Sequence, residues 1–342
     1  IVANNLTGDL ENFEPVMLLR ASFLVAGPLL ARTGRVKISL PGGCQIGVRP
    51  VDLHLKGLAA LGAVIEQNHG YMELTCKKLE GNKVYLDFPS VGATENIMMA
   101  ASLAKGETII ENAATEPEIA DLAVFINNMG GCISGAGSDT VKIIGVDKLY
   151  GCGHRVIPDR IEAGTFMVAA AATKGCVKIN SVIPEHLKPV TSKLKEIGVQ
   201  VEEDENSVLV RGGIPHAADI KTMPYPGFPT DMQAQFSSLL SMSKGTSMIT
   251  ETIFENRFMH LTELKRMGAN IRIDGRTSVI EGTDHLTGAS VKATDLRAGA
   301  ALVIAGLAAE GKTEIENIAY LDRGYYKFEE KLNSLGAEIT RI

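Results

Sequence analysis

The chain has 342 residues, 45% apolar and 22% charged, with 34 basic against 40 acidic side chains and a net charge of −6. That length and balance suit two domains with a real core and exclude a small module or a wholly disordered chain. The acidic excess argues against a surface made for nucleic acid or acidic lipid, and the longest apolar runs, such as 298–309, fall short of the roughly 20 residues a bilayer span needs.

The opening stretch, IVANNLTGDLENF, has no basic region followed by an apolar one and does not read as a signal peptide. A small-residue helix then ends at Gly34 and gives way to a β-rich run, RTGRVKISL. Next comes PGGCQIGVRP (41–50), longer than the matching connection later in the chain. Gly42, Gly43 and Gly47 make it a candidate mobile lid. It sets Cys44 near Arg49 and a helix start at 50–52, surroundings in which a thiol ionises more readily. A helix follows and ends at LAALGA, and VIEQN then alternates as a strand should.

The same grammar returns along the chain. SVGATEN (90–96) opens a helix with small residues that leave backbone N–H groups open to a ligand; AKGETIIEN and INNMGG follow. The boundary between two domains is expected near GCGHRVIPDR (151–160), giving domains 1–157 and 158–342. Beyond it come FMVAAAATKGCVKINS, LKEIGV and QVEED; then FPTDMQAQF, SKGTSMITE, LKRMGA and NIRID; then ATDLRAGAALVIAGLAAEGKTEIEN, LDRGY, LNSLGA and EITRI.

The helix-ending glycines Gly62, Gly130, Gly198, Gly268 and Gly336 are spaced by 68, 68, 70 and 68 residues. Each is expected in the left-handed conformation that closes a helix. A second set, Gly34, Gly106, Gly175, Gly245 and Gly311, precedes them. Five repeats therefore read as helix, strand, helix, strand and hairpin strand, an α/β architecture with buried helices inside and half-exposed sheets outside.

Equivalent positions show where the repeats diverge. Fourteen residues before the second set, at the start of the buried helix, stand Arg20, Gly92, Ile161 (beside Arg160), Asp231 and Arg297. Thirteen before the first set, at the start of the other helix, stand Arg49, Pro117, Glu185, Glu255 (two before Arg257) and Arg323. A helix start disfavours Arg unless an anion is there to meet it, so several at matching places point to an anion-binding cleft for phosphate, carboxylate or both. Asp231 has two readings: a helix cap, or a polar group within that cleft.

Five scattered cysteines without a CxxC pair suggest a reducing compartment and no zinc site. Cys76, Cys132 and Cys176 are expected to be buried and inert. The seven histidines lack ligand spacing, and His54 reads as a structural residue of a helix.

Taken together, PGGCQIGVRPVDLH, SVGATENIMMAA, FPTDMQAQF, ITETIFENRFMH, ATDLRA and LDRGY resemble the UDP-N-acetylglucosamine enolpyruvyl transferase family over essentially the whole chain. The resemblance implies a two-domain inside-out α/β barrel of six βαβαββ units with the active site between the domains. Five units are present here, so about 70 residues, one unit carrying a Lys-Asn pair that helps bind phosphoenolpyruvate, would precede Ile1.

It also implies the reaction: the enolpyruvyl group of phosphoenolpyruvate passes to the 3′-hydroxyl of UDP-N-acetylglucosamine in the first committed step of peptidoglycan synthesis. Cys44 matches the loop cysteine that fosfomycin alkylates. Asp231 matches the aspartate at the sugar hydroxyl. Arg49, Arg297 and Arg323 match phosphoenolpyruvate ligands. Arg20, Arg49, Pro50, Val51, Asp52, Leu53, Ser90, Val91, Gly92, Asp231 and Ile253 match contacts to the UDP-sugar, while Arg257 and Asp295 belong to matching motifs. No metal or organic cofactor is required, the partners are the two small substrates with no nucleic acid or membrane, and a cytoplasmic monomer is expected. The alternatives are a non-catalytic UDP-sugar-binding relative, the shikimate-pathway enolpyruvyl transferase, which lacks the PGGC loop, and a ring-like module such as a DNA sliding clamp, which the net charge disfavours.

Overall fold

All five glycines of the 68-residue spacing have φ between 88° and 99°, a region costly for any residue with a Cβ. The spacing is therefore the spacing of real helix ends. The structure, a computed structural model, describes residues 6, 9–10, 20–39, 51–67 and 70–342. Contacts divide the chain into two compact units that part between Ile157 and Pro158.

In the first unit, strand β1 (Asp9–Leu10) leads to a 3-10 turn (Arg20–Val25), helix α1 (Ala26–Thr33), β2 (Arg35–Ser39), α2 (Asp52–Ala60), β3 (Val64–Gln67) and β4 (Tyr71–Thr75). The next repeat copies it: β5 (Lys83–Tyr85), α3 (Val91–Ala101), β6 (Glu107–Glu111), α4 (Pro117–Asn128), β7 (Cys132–Ser134) and β8 (Thr140–Ile144). Both sheets have the same order, β1-β2-β4-β3 and β5-β6-β8-β7, with the first pair parallel and the others antiparallel. The leading strand of each repeat is absent from the helix-first reading of the sequence. It is short, and only its pairing reveals it.

The second unit holds three repeats. The first has α5 (Arg160–Ala172), β9 (Cys176–Asn180), α6 (Pro184–Glu196), β10 (Gln200–Glu203) and β11 (Ser207–Arg211). The next has β12 (Ile220–Lys221), a 3-10 turn (Thr230–Met232), α7 (Gln233–Leu240), β13 (Thr246–Thr250), α8 (Met259–Arg266), β14 (Asn270–Asp274) and β15 (Thr277–Glu281). The last has β16 (Ser290–Lys292), α9 (Leu296–Ala308), β17 (Glu314–Glu316), α10 (Ala319–Asp322) and α11 (Phe328–Ser334).

Helix composition decides the layering. α5, α7 and α9 pack on one another and are buried around most of their circumference, as their Ala-, Gly- and Ser-rich surfaces allow. α6 buries only Leu187, Val190, Thr191 and Leu194 of its later turns, a single stripe at helical spacing. Strands such as β8 alternate exposed and buried residues, so one face of each sheet covers helices and the other meets solvent. Two large cores result, one around Leu30, Leu58, Leu74, Ile97 and Ile110 and the other around Met167, Leu187, Phe236, Leu264 and Leu302, with a smaller third around Leu321, Tyr325 and Phe328. No helix of the described residues is long and apolar enough to cross a membrane.

Several expectations are corrected. EITRI is not a strand; its alternation is adequate, but β16 and β17 form a two-stranded sheet with no third member. The small-residue helix expected to end at Gly175 ends at Ala172, and Lys174 takes a left-handed turn after it. Cys132 and Cys176 are exposed and Cys76 is half-buried. Cys132 and Cys176 each open a strand on its outward-facing parity, which residue type alone does not reveal.

Candidate active site

The five positions at the start of the buried helices fall where the repeat comparison places them. Arg20 opens its 3-10 turn, Gly92 and Arg297 are second residues of α3 and α9, Ile161 is second in α5, and Asp231 sits in the turn before α7. Caps stand two residues earlier. Ser90 accepts the Ala93 N–H at 3.3 Å, Asp159 accepts those of Ile161 and Glu162, and Asp295 accepts those of Arg297 and Ala298 at 2.9 and 3.0 Å. In the fourth repeat that cap position is Pro229, and Asp231 caps nothing. The cap reading of Asp231 is thereby overturned.

Asp231 instead accepts from two arginines. Arg257 Nη2 lies 2.7 Å from Oδ1, and Arg297 donates to Oδ2 through Nε at 3.2 Å and Nη2 at 3.1 Å. Arg257, only 4% exposed, also donates from Nη1 to Thr230 Oγ1 at 2.8 Å; Thr230 in turn donates to the buried Glu251 at 2.9 Å. Glu251 further accepts from Thr222 Oγ1 and from the backbone N–H groups of Ile253 and Phe254. The result is an alternating row of charges, Glu251, Arg257, Asp231 and Arg297.

Burial alone would raise the Asp231 pKa. The charges and hydrogen bonds of Arg257 and Arg297 outweigh it and hold the carboxyl well below the usual carboxylate range. A carboxylate offers about four lone-pair sites, and the arginines fill three. The remaining site is on Oδ1, and the side chain keeps 37% of its surface open. A ligand hydroxyl can donate there.

Arg323 is corrected in place: it does not open a helix but follows the four-residue α10, exposed and without an ion pair to a described residue. Glu255 likewise precedes α8 by several residues. In the first unit Val51 is buried ahead of α2, Asp52 opens that helix exposed, and Leu53, Ser90, Val91 and Gly92 are half-buried. Cys44, Arg49 and Pro50 lie outside the described residues, as does the side chain of Arg20. Sequence reasoning missed Thr230 and Glu251, which orient Arg257, and three residues around Arg297: Tyr325, Thr165 and Gln235. The last two share one register, four residues after the matching positions Ile161 and Asp231. No group of three or more His, Cys, Asp or Glu among the described residues is placed to hold a metal.

Behind Arg257, His260 is 1% exposed. Burial holds its pKa well below the ordinary imidazole value, with the Arg257 charge adding to the effect and nearby Asp295 opposing it. The ring is neutral in the fold, so an unfolded chain takes up its proton first below about pH 6.5. Stability from this residue is complete above that pH and drains as the pH falls toward the depressed value. We expect the melting temperature to drop by several degrees between pH 7 and pH 5, and His260→Gln to flatten that fall. Parallel melting profiles for the two proteins would acquit His260.

Repeated α/β units with their helices packed centrally define the fold class of the enolpyruvyl transferases. The chain belongs to the EPSP synthase (3-phosphoshikimate 1-carboxyvinyltransferase) family, which it matches over residues 3–332. It is 64% identical over 333 residues to UDP-N-acetylglucosamine 1-carboxyvinyltransferase 2 of Carboxydothermus hydrogenoformans. It is also 64% identical over 330 residues to UDP-N-acetylglucosamine 1-carboxyvinyltransferase 1 of Caldanaerobacter subterraneus subsp. tengcongensis. Each match covers 96% of this chain and 80% of the relative. Among solved structures, the enolpyruvyl transferase NikO from Streptomyces tendae aligns with a TM-score of 0.84 at 25% identity, covering 93% of this chain and 76% of that one. EPSP synthase from Acinetobacter baumannii, at 0.72 and 21% identity over 94% and 78% of the two chains, is alike in fold.

Proposed function

We propose that this chain transfers the enolpyruvyl group of phosphoenolpyruvate to the 3′-hydroxyl of UDP-N-acetylglucosamine, releasing phosphate, in the cytoplasm and as the first committed step of peptidoglycan synthesis. The observation that carries this reading is the arginine-clamped, uncapped Asp231, found in a chain with 64% identity to enzymes of that name.

The sugar 3′-oxygen bonds to C2 of phosphoenolpyruvate as its own proton leaves and a proton reaches C3. The tetrahedral ketal then loses a C3 proton, the C2–O bond to phosphate breaks, and the double bond returns. Carboxylate and phosphate stay anionic throughout, so preorganised cations stabilise every stage. Arg297, Arg323 and Arg49 supply them in this reading. Asp231 accepts a hydrogen bond from the 3′-hydroxyl at its open Oδ1 site and sets the angle of attack. As a base it is weak while both arginines hold it, and it gains basicity when the anionic substrate draws Arg297 away. Cys44 delivers or receives the C3 proton. Arg20, Val51, Asp52, Leu53, Ser90, Val91, Gly92 and Ile253 contact the UDP-sugar. The units before and after Ile157 are then the cysteine-loop domain and the Asp231 domain.

The test is phosphate release from phosphoenolpyruvate with UDP-N-acetylglucosamine as acceptor, against shikimate 3-phosphate as control. Release with the nucleotide sugar alone, stopped by fosfomycin with its label on Cys44, is the expected result. Because Cys132, Cys152 and Cys176 are exposed, label spread over those thiols would mean that accessibility rather than activation selects the target. Release with shikimate 3-phosphate would favour the rival enzyme. Tight sugar binding without release from either acceptor would favour a non-catalytic relative.

A further inference from the structure

Arg297 has a second partner that the reaction does not explain. Its Nη1 donates to the Tyr325 hydroxyl at 3.1 Å, and its guanidinium carbon lies 5.5 Å from the Tyr325 ring centroid. Tyr325 is 1% exposed. Its hydroxyl is 2.9 Å from Thr165 Oγ1, and Gln235 Nε2 reaches Thr165 Oγ1 at 3.1 Å and the Tyr325 hydroxyl at 3.4 Å.

The direction of these bonds follows from counting protons. Thr165 gives its only hydroxyl proton to the Ile161 carbonyl at 2.8 Å, so toward Tyr325 it can only accept. The Tyr325 proton therefore goes to Thr165. The lone pairs left on the tyrosine oxygen meet Arg297 and Gln235, and both of those nitrogens can only donate. The hydroxyls of Thr165 and Tyr325 thus each have one orientation, with Gln235 turned so that Nε2 faces them and Oε1 is buried without a hydrogen-bond partner among the described residues.

The ring is held as firmly as the hydroxyl. It packs on Phe328 with centroids 4.7 Å apart, inside an apolar cluster with Ala293, Ala300, Leu321 and Leu332. Gly324 suits the approach, because a Cβ there would come within 2.7 Å of Leu296 Cδ2 and oblige that side chain to turn aside. The chain leaving α10 can therefore lie against the first turn of α9 and bring Tyr325 to Arg297.

We infer that Tyr325 is the positioning residue for Arg297, a fixed acceptor that keeps the guanidinium plane aimed while its other edge exchanges Asp231 for the anionic substrate. This rests on the reading of Arg297 as a phosphoenolpyruvate ligand. An Arg–Asp pair alone would leave that plane free to turn once the pair opened. With Nη1 anchored, the geometry offered to the incoming anion is set in advance.

The experiment is a double-mutant cycle in the full chain, with phosphate release measured at varied phosphoenolpyruvate and at varied UDP-N-acetylglucosamine. Tyr325→Phe is expected to raise KM for phosphoenolpyruvate about tenfold and to leave KM for the sugar within about twofold, since a hydrogen bond to a charged group is lost on one side only. In an Arg297→Lys background the same change should add less than about twofold, because the group it acts through has gone. Equal shifts in both KM values, or effects that simply multiply in the double variant, would overturn the inference. If Tyr325→Phe does not fold, Thr165→Val keeps the hydroxyl but removes its acceptor. A folded Thr165→Val with an unchanged KM for phosphoenolpyruvate would overturn it as well. Should the wild type show no turnover, the functional reading fails by itself. Calorimetric binding of phosphoenolpyruvate then decides about Tyr325: weakening in Tyr325→Phe supports it, and equal binding or none to either protein overturns it.

Discussion

Asp231→Asn is expected to lower kcat about a thousandfold while UDP-sugar affinity changes by less than about threefold. The carboxylate receives three hydrogen bonds from Arg257 and Arg297 and keeps one site on Oδ1 for the substrate hydroxyl. An amide has a single oxygen, and its NH2 group would face one guanidinium donor against donor. Whichever way it turns, either an arginine or the hydroxyl loses its partner. The nucleotide and most of the sugar are bound elsewhere, so affinity is spared. Stability should respond as well. The Asp231 pKa is depressed in the fold, so the clamp's contribution to stability is complete above about pH 4, where the unfolded carboxyl is ionised too, and drains as pH falls from there toward the depressed value. The difference in melting temperature between wild type and Asp231→Asn should therefore be constant from pH 6 to about pH 4 and begin to narrow between pH 4 and pH 3. Turnover near the wild-type level would remove Asp231 from the mechanism.

Asn96→Leu is expected to cost roughly 3–5 kcal/mol, because three buried polar groups lose their partners together. Asn96 is fully buried on α3. Its Oδ1 accepts the Gly27 N–H at 2.7 Å, and its Nδ2 donates to the Phe23 carbonyl and to His54 Nδ1, both at 3.1 Å. Because the amide nitrogen can only donate, His54 accepts at Nδ1 and carries its proton on Nε2. One side chain thus ties α1, α2 and α3, and leucine satisfies none of the three. The loss falls on the first unit, so heating should split into two transitions with that unit melting first. A single transition within about 2 °C of wild type would show that the hub is dispensable.

The repeats were legible in the sequence because a left-handed helix end favours glycine, and five such glycines at nearly even spacing stand out. The starts of the buried helices followed by counting, and the Asp231–Arg297 meeting was implicit there. The polar cluster beneath it was not. Thr165 and Gln235 face each other only because α5 and α7 pack in register, and a one-dimensional string carries no packing angle. Arg323 was misplaced because α10 is too short to show a period. Cys132 and Cys176 were misread because hydrophobicity scales ignore strand parity. EITRI shows the limit from the other side: alternation permits a strand, and a neighbour makes one.

Four residues after the matching positions Arg20, Gly92, Ile161, Asp231 and Arg297 stand Leu24, Asn96, Thr165, Gln235 and Ala301 in turn. An ancestral assembly of separate, identical copies would have set three of the same side chain around one centre. Three alanines there would give Tyr325 nothing to donate to, and three glutamines would crowd a space now shared by a small, a medium and a large group. Joined in one polypeptide, the repeats carry different side chains at this position, so Thr165 can accept the Tyr325 proton while Gln235 donates to the same hydroxyl. Identical side chains at both positions could not divide those roles.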